Sequence, residues 1–403
     1  MIDEHYENNT DPTAREMCDW IADDSACIGT DTETERDDAF QKFVKALFRS
    51  EEFVAEVLSN DDPAFVPVDR VIERNDLIIV KKDLKRLPLA KHFKSVIELF
   101  ENYSPEYEYS LNVNLFFKCC FQLDLGREWF SNPLAYTSKP GKLAYELYND
   151  FIELIRTEAK TPEFKRAIYD RNCNYFRSYK SAAKFITRLF SRRLLVLRVD
   201  LTYQPNIASS VTAEEARSDL KRFLERFRKN KEFTRDLEGY LWKLEHGPGK
   251  GMHFHCFFFY DGSQVQNDEY WANKIGKFWE EDIVANGRGW FFNANIKKHK
   301  AGFEKNGLLG IGMIGPIDEN PSKDRDKVKR DILLHRVVKY LFRAKQFLMA
   351  KKLGGCKDRL WGKGYGPNRK QKIKKQEKKG IDKRLEFNFV PIVNSSAELG
   401  ATV

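Results

Sequence analysis

The stretch EHGPGKGMHFHCFFFYDG, residues 245–262, places two histidines one residue apart at the mouth of an aromatic run, entered through a glycine-rich turn. The β-forming runs GYLWKLE and MHFHCFFFY on either side of that turn predict two antiparallel strands. Successive side chains of a strand face opposite ways. His253, His255, Phe257 and Phe259 therefore share one face, and Met252, Phe254, Cys256 and Phe258 the other. If Pro248-Gly249-Lys250 is the loop and Gly247 closes against Gly251, the ladder sets Glu245 directly across from His253. A bulge would shift the register by one and send Glu245 to the far face.

Two imidazoles and a carboxylate leave open positions on a divalent cation, as a Lewis-acid site for a phosphate oxygen requires; Mg2+ or Mn2+ is the expected cofactor. The competing reading is a pair of half-exposed strand histidines. His246 falls on the face opposite Glu245. A cation that polarises a phosphodiester still needs a nucleophile, and Tyr340 is the candidate. At α-helical spacing, Arg336 and Arg343 lie four residues before it and three after, on its side of the helix, where they would lower the phenol pKa and hold phosphate. The alternative for Tyr340 is plain packing, and His335 and Lys339 are open in the same way.

Around this centre the texture is α+β. LRVDLTY reads as a buried strand, and TAEEARSDLKRFLERFRKN as a helix with Thr212 and Glu215 at capping-box spacing. WFFNANI and LLGIGMI suggest strands. DEYWANKIGKFWEEDIVA and DRDKVKRDILLHRVVKYLFRAKQFLMAKK suggest helices, the second ending before Gly354 and Gly355. Strands with few crossovers predict an antiparallel sheet with flanking helices. Upstream the pattern is mainly helical, apart from a possible strand in DLIIVKK and an ambiguous FFKCCFQL. The expected divisions are an acidic, disordered arm at 1–38, a helical region at 39–188, a sheet domain at 189–355 and a basic tail at 356–403.

The charge is polarised. Residues 1–38 carry 13 acidic against 2 basic side chains, so within a net charge of +9 the other 365 residues carry +20. A basic body points to nucleic-acid phosphates, with Lys370 and Lys372 in the lysine-rich tail as nonspecific contacts. No apolar run is long enough for a membrane helix, and the first residues are acidic where a signal peptide is basic and then apolar, so a cytoplasmic protein is expected. Seven cysteines without a CxxC pair suit reduced thiols.

The histidine–hydrophobic–histidine of HFH, an acidic residue on the preceding strand and a later tyrosine in KYLFRAK resemble the HUH endonucleases. Among these, LRVDLTY, GYLWKLEHGPGKGMHFHCFFFYDG and VVKYLFRAKQF look like the replication initiators of filamentous phages (inoviruses) and their prophage-encoded relatives, over roughly 190–365, including DRLWGKG. The resemblance implies an HUH-type sheet and a single-strand nick-and-rejoin at a replication origin that starts rolling-circle synthesis in a bacterial host, with a host helicase or polymerase as possible partners. His253, His255 and Glu245 would hold the metal, and Tyr340 would form a 5′-phosphotyrosine. Arg343 stands where many relatives carry lysine, with Lys345 two residues on, so either would assist the tyrosine. No second catalytic tyrosine is evident. Asp200 sits where such enzymes carry their first sheet motif and would help position DNA or the hairpin, against the alternative of a structural hydrogen bond; Arg336 and Lys339 would contact DNA. Trp290 and Tyr365 are candidates for base stacking. A non-cleaving DNA-binding regulator on the same fold, and a phosphodiesterase that uses water, are the competing functions.

Overall fold

The computed structural model describes residues 34–74, 77–128, 130–247, 251–284, 286–318, 320, 322, 324–350 and 359–366. Its centre is a six-stranded antiparallel sheet, and the protein is of the α+β class. The strand Leu194–Tyr203 (β4) lies inside it, buried along its whole length. The hairpin strands Leu237–Gly247 (β5) and Gly251–Asp261 (β6) follow on one side of β4. On its other side Gly289–Asn293 (β7) pairs with the C-terminal half and Gly312–Ile314 (β8) with the N-terminal end. LLGIGMI thus contributes only three strand residues.

Alternation divides the sheet into two faces. On one, Phe254, Phe258 and Leu201 meet Phe223 and Phe227 of the helix Ala213–Lys229, Ile275 of the helix Asp268–Lys277, and Trp279, whose indole N–H donates to the Thr202 carbonyl at 2.7 Å. Thr212 caps the first of these helices, accepting from the Glu215 N–H at 3.1 Å, which is one half of the expected capping box; the Glu215 carboxylate pairs instead with Arg288. On the other face Leu241, Phe257, Phe259 and Val196 pack against the second half of the helix Pro162–Leu189, through Tyr179, Ala182, Phe185, Ile186 and Leu189. Burying a side chain such as Phe257 stabilises by about 1.5–3 kcal/mol.

The same face receives a helical run over 327–347. Lys327–Asp331 is α-helical, Ile332–Val338 is a π-helical segment, and Lys339–Phe347 is α-helical again. Leu333, Val337, Val338, Tyr340, Leu341 and Phe342 join the core cluster that holds Phe257 and Phe259. The run ends earlier than its composition suggested. Leu348–Ala350 is a strand (β9), paired antiparallel with Tyr107–Tyr109 (β3) of the N-terminal half; Gly354 and Gly355 lie outside the described residues.

Two expected boundaries run through structural units. The helix Pro162–Leu189, assigned to the N-terminal region, supplies the core of the sheet face. Trp361–Tyr365 (β10), assigned to the basic tail, is the edge strand beside β5, pairing with Gly239–Lys243. The N-terminal half packs its own aromatic core through Phe53, Phe116, Tyr148 and Phe151. FFKCCFQL lies largely in a helix, Leu111–Gln122. DLIIVKK lies largely in β2 (Leu77–Arg86), whose partner β1 (Phe65–Arg74) the sequence did not reveal. The arm before residue 34 lies outside the described residues, and the first helix among the described residues starts at Thr34 rather than near 39.

Gly251, at the foot of β6, has φ +63°, and a Cβ there would overlap the Ala208 carbonyl. Gly141 has φ +75° in open space. Gly141→Ala is expected to cost about 1–2 kcal/mol from the backbone alone. Gly251→Ala is expected to cost more, to about 3 kcal/mol, with urea midpoints of the two variants as the measurement.

Candidate metal centre

The hairpin takes the unbulged register near its turn: Gly247 pairs with Gly251, Glu245 with His253 and Lys243 with His255. On the opposite edge of β6, Asp200 pairs with His255. Three strands thus bring two imidazoles, two carboxylates and two cations, Lys243 and Arg198, to one end of the face whose other end is the apolar cluster.

His255 is wholly buried, and its Nδ1 lies 3.0 Å from Asp200 Oδ1. Asp200 is gripped by Arg198 through Nε at 3.1 Å and Nη2 at 2.8 Å. Arg198 Nη2 also lies 3.2 Å from Nδ1. One nitrogen cannot both donate to Asp200 and accept from Arg198. The ionised carboxylate is the stronger partner, so Nδ1 carries a proton for Asp200 and Nε2 is the nitrogen left facing Glu245. Nε2 lies 3.4 Å from Glu245 Oε2. His253 repeats the arrangement: its Nδ1–H donates to the Gly251 carbonyl at 3.2 Å, and its Nε2 lies 4.0 Å from the same Glu245 oxygen. The two rings meet edge to face, 5.0 Å between centroids.

Burial would raise the Glu245 pKa, but the Lys243 ammonium and the two imidazoles outweigh it and hold the carboxyl well below its usual range. Burial likewise opposes ionisation of Asp200, and Arg198, then His255, hold it low. One ligand atom from each of Glu245, His253 and His255 lies within 4.8 Å of the others. Two imidazole nitrogens and a carboxylate, each histidine oriented by a hydrogen bond from its other nitrogen, fit a divalent cation with positions left for substrate oxygens.

The other expected site residues divide. Tyr340 lies on the same side of the sheet as the histidines but is only 7% exposed, packed in the core cluster. Arg336 falls within the π-helical segment, where the wider turn departs from the α-helical spacing assumed for it, whereas Arg343 keeps α-helical spacing from Tyr340. The exposed Arg336 donates from Nη1 to the Gly307 carbonyl at 3.2 Å, and Arg343 lies over the Tyr175 ring at 5.1 Å. His335 Nδ1 lies 2.9 Å from the Tyr179 hydroxyl, and burial lowers its pKa. Asp200 is fully buried and orients His255, which fits the expected roles of positioning the hairpin or making a structural hydrogen bond. Lys339 is 8% exposed. Trp290 and Tyr365 are partly buried against the core, the latter on Phe185. The Lys345 side chain, Lys370 and Lys372 lie outside the described residues.

Lys243 and Arg198 were missed. Their signal was an isolated charge two residues from a carboxylate within strands otherwise apolar, in WKLE and LRVDL.

Residues 157–303 match the family model of the YagK/YfjJ C-terminal domain, a family found in prophage-like proteins. That span includes Arg198, Asp200, Lys243, Glu245, His253 and His255 and stops short of Tyr340. No curated protein and no solved structure matches the chain. Among the described residues, no helix is long and apolar enough to cross a membrane.

Because the Asp200 pKa is depressed in the folded state, its contribution is fully present above the ordinary carboxylate pKa, about 4, and is lost as pH falls below it. Asp200→Asn is expected to remove that acid-sensitive part and, by leaving Arg198 buried without its counter-ion, to cost about 3–5 kcal/mol near neutral pH. Urea denaturation across the acid range measures both effects.

Proposed function

We propose that this protein is an HUH-type endonuclease that nicks and rejoins single-stranded DNA at a replication origin through a divalent metal and Tyr340. The observation that supports this most is the convergence of Glu245, His253 and His255 on one sheet face, with the tyrosine-bearing helix packed on that same face. The body charge of +20 outside residues 1–38 suits a phosphate backbone.

Glu245, His253 and His255 would hold an Mg2+ or Mn2+ ion, which would supply Lewis acidity toward a phosphate oxygen. Asp200, backed by Arg198, keeps the His255 lone pair directed into the site, and the Gly251 carbonyl does the same for His253. The Tyr340 phenolic oxygen attacks phosphorus as its proton passes to water. The bond from phosphorus to the 3′ oxygen breaks, and that oxygen takes a proton to become a free 3′-hydroxyl. The 5′-phosphotyrosine conserves the phosphodiester energy for rejoining. Since Tyr340 is 7% exposed, strand entry requires its helix to shift, and the adjoining π-helical segment is a natural place for it to give.

The burial of Tyr340 also favours a second reading, in which water replaces the phenol and no protein–DNA link forms. The test is incubation with Mn2+ and labelled single-stranded origin DNA, resolved on a denaturing gel. A protein-linked band is expected from wild type, absent from Tyr340→Phe and from His253→Ala/His255→Ala. Cleavage without a linked band would support the water mechanism. A linked band that survives Tyr340→Phe would move the nucleophile elsewhere. Duplex binding without cleavage would favour a non-cleaving regulator.

A further inference from the structure

Lys243 is the least expected residue of the site. Its side chain is 2% exposed, on an inner strand between β10 and β6, opposite His255 and on the same face as Glu245. Its ammonium donates to Glu245 Oε1. Taking a lysine out of water costs several kcal/mol unless it is paired, and an apolar side chain here would extend the cluster that begins at Leu241. The cation therefore calls for an explanation beyond stability. The neighbouring charges supply one. Arg198 and Asp200 neutralise each other, as do Lys243 and Glu245, so this end of the sheet is balanced by its own side chains. Glu245 is also the only carboxylate of the ligand set, so any divalent cation bound there must share it with the ammonium.

We propose that Lys243 is a resident counter-ion of the metal centre that couples metal binding to DNA binding. Without nucleic acid it holds the Glu245 carboxylate in place and, by competing for it, weakens binding of a divalent cation. A DNA phosphate offers the ammonium a second anion, which relieves the competition, so the two ligands bind cooperatively and each strengthens the other by the same factor. The idea rests on the metal-centre reading above and concerns a positioning residue rather than a catalytic one.

The test is an equilibrium titration of the full chain with Mn2+, followed by the electron paramagnetic resonance of the free ion, with and without a short oligo-dT strand. Wild type is expected to bind Mn2+ about tenfold more tightly when the strand is present, equivalent to about 1.4 kcal/mol of coupling. Lys243→Met is expected to bind about tenfold more tightly than wild type without DNA and to gain little from it. Lys243→Gln, which keeps a donor to Glu245 but no charge, gives the same readout should the methionine variant not fold. Equal or weaker Mn2+ affinity in these variants, or an undiminished effect of DNA, would overturn the role of Lys243 alone. Absence of Mn2+ binding by wild type with and without the strand would instead remove the metal centre, and the proposed function with it.

Discussion

The cross-strand rung that sets Glu245 against His253 is the constraint on which the rest of this site depends. Side chains alternate along a strand, so a one-residue slip would carry Glu245 to the face occupied by Phe254 and Phe258 and leave both histidines facing Leu244 and His246 positions instead. The tight closure of Gly247 on Gly251 prevents that slip, and Gly251 is needed because its backbone is left-handed and runs against Ala208. The same alternation places Phe257 and Phe259 beside the histidines, so the chemistry and the apolar core share one continuous surface.

Buried charge makes the register matter energetically. Arg198, Asp200, Lys243 and His255 are all nearly or fully removed from water, and each remains tolerable only while its partner is in place. Asp200 reaches His255 from β4, and Lys243 reaches Glu245 along β5, so the polar end of the sheet is held from two strands that flank β6. Misplacing either strand would strand a charge in a low-dielectric interior, a stronger penalty than the loss of an apolar contact.

The helical run 327–347 is positioned by a different part of the chain. Its apolar side rests on the sheet, and the strand that follows it pairs with Tyr107–Tyr109 of the N-terminal half. In the helix Thr34–Ser59, Glu51 accepts a hydrogen bond from Asn112 at 2.8 Å; burial raises its pKa, against the pull of nearby groups that include Arg343. The N-terminal half thereby pairs with the strand that follows the helix bearing Tyr340 and places a carboxylate near Arg343 of that helix. The match to the YagK/YfjJ C-terminal domain covers the histidine hairpin and β4 but not this helix, so the candidate metal ligands lie within the matched span and the proposed nucleophile outside it.

Local chemistry was legible directly. The period-two pattern of MHFHCFFFY, the glycines of the turn and the Thr212 cap act over a few residues, where steric and hydrogen-bonding preferences decide the outcome without help from distant parts of the chain. The Glu245, His253 and His255 set could be read from these alone. Other assignments needed the folded chain. β10 joins β5 from more than a hundred residues away, β9 interrupts a composition suited to helix, and Asp200 turns inward to His255 rather than outward to a ligand. In each case the deciding partner is remote in sequence and contributes through pairing or burial. Strand alternation by itself therefore determined which residues could form the site, whereas tertiary packing decided which of them are held, which are buried and which cation sits beside Glu245, because desolvation and cross-strand pairing exist only once the sheet is assembled.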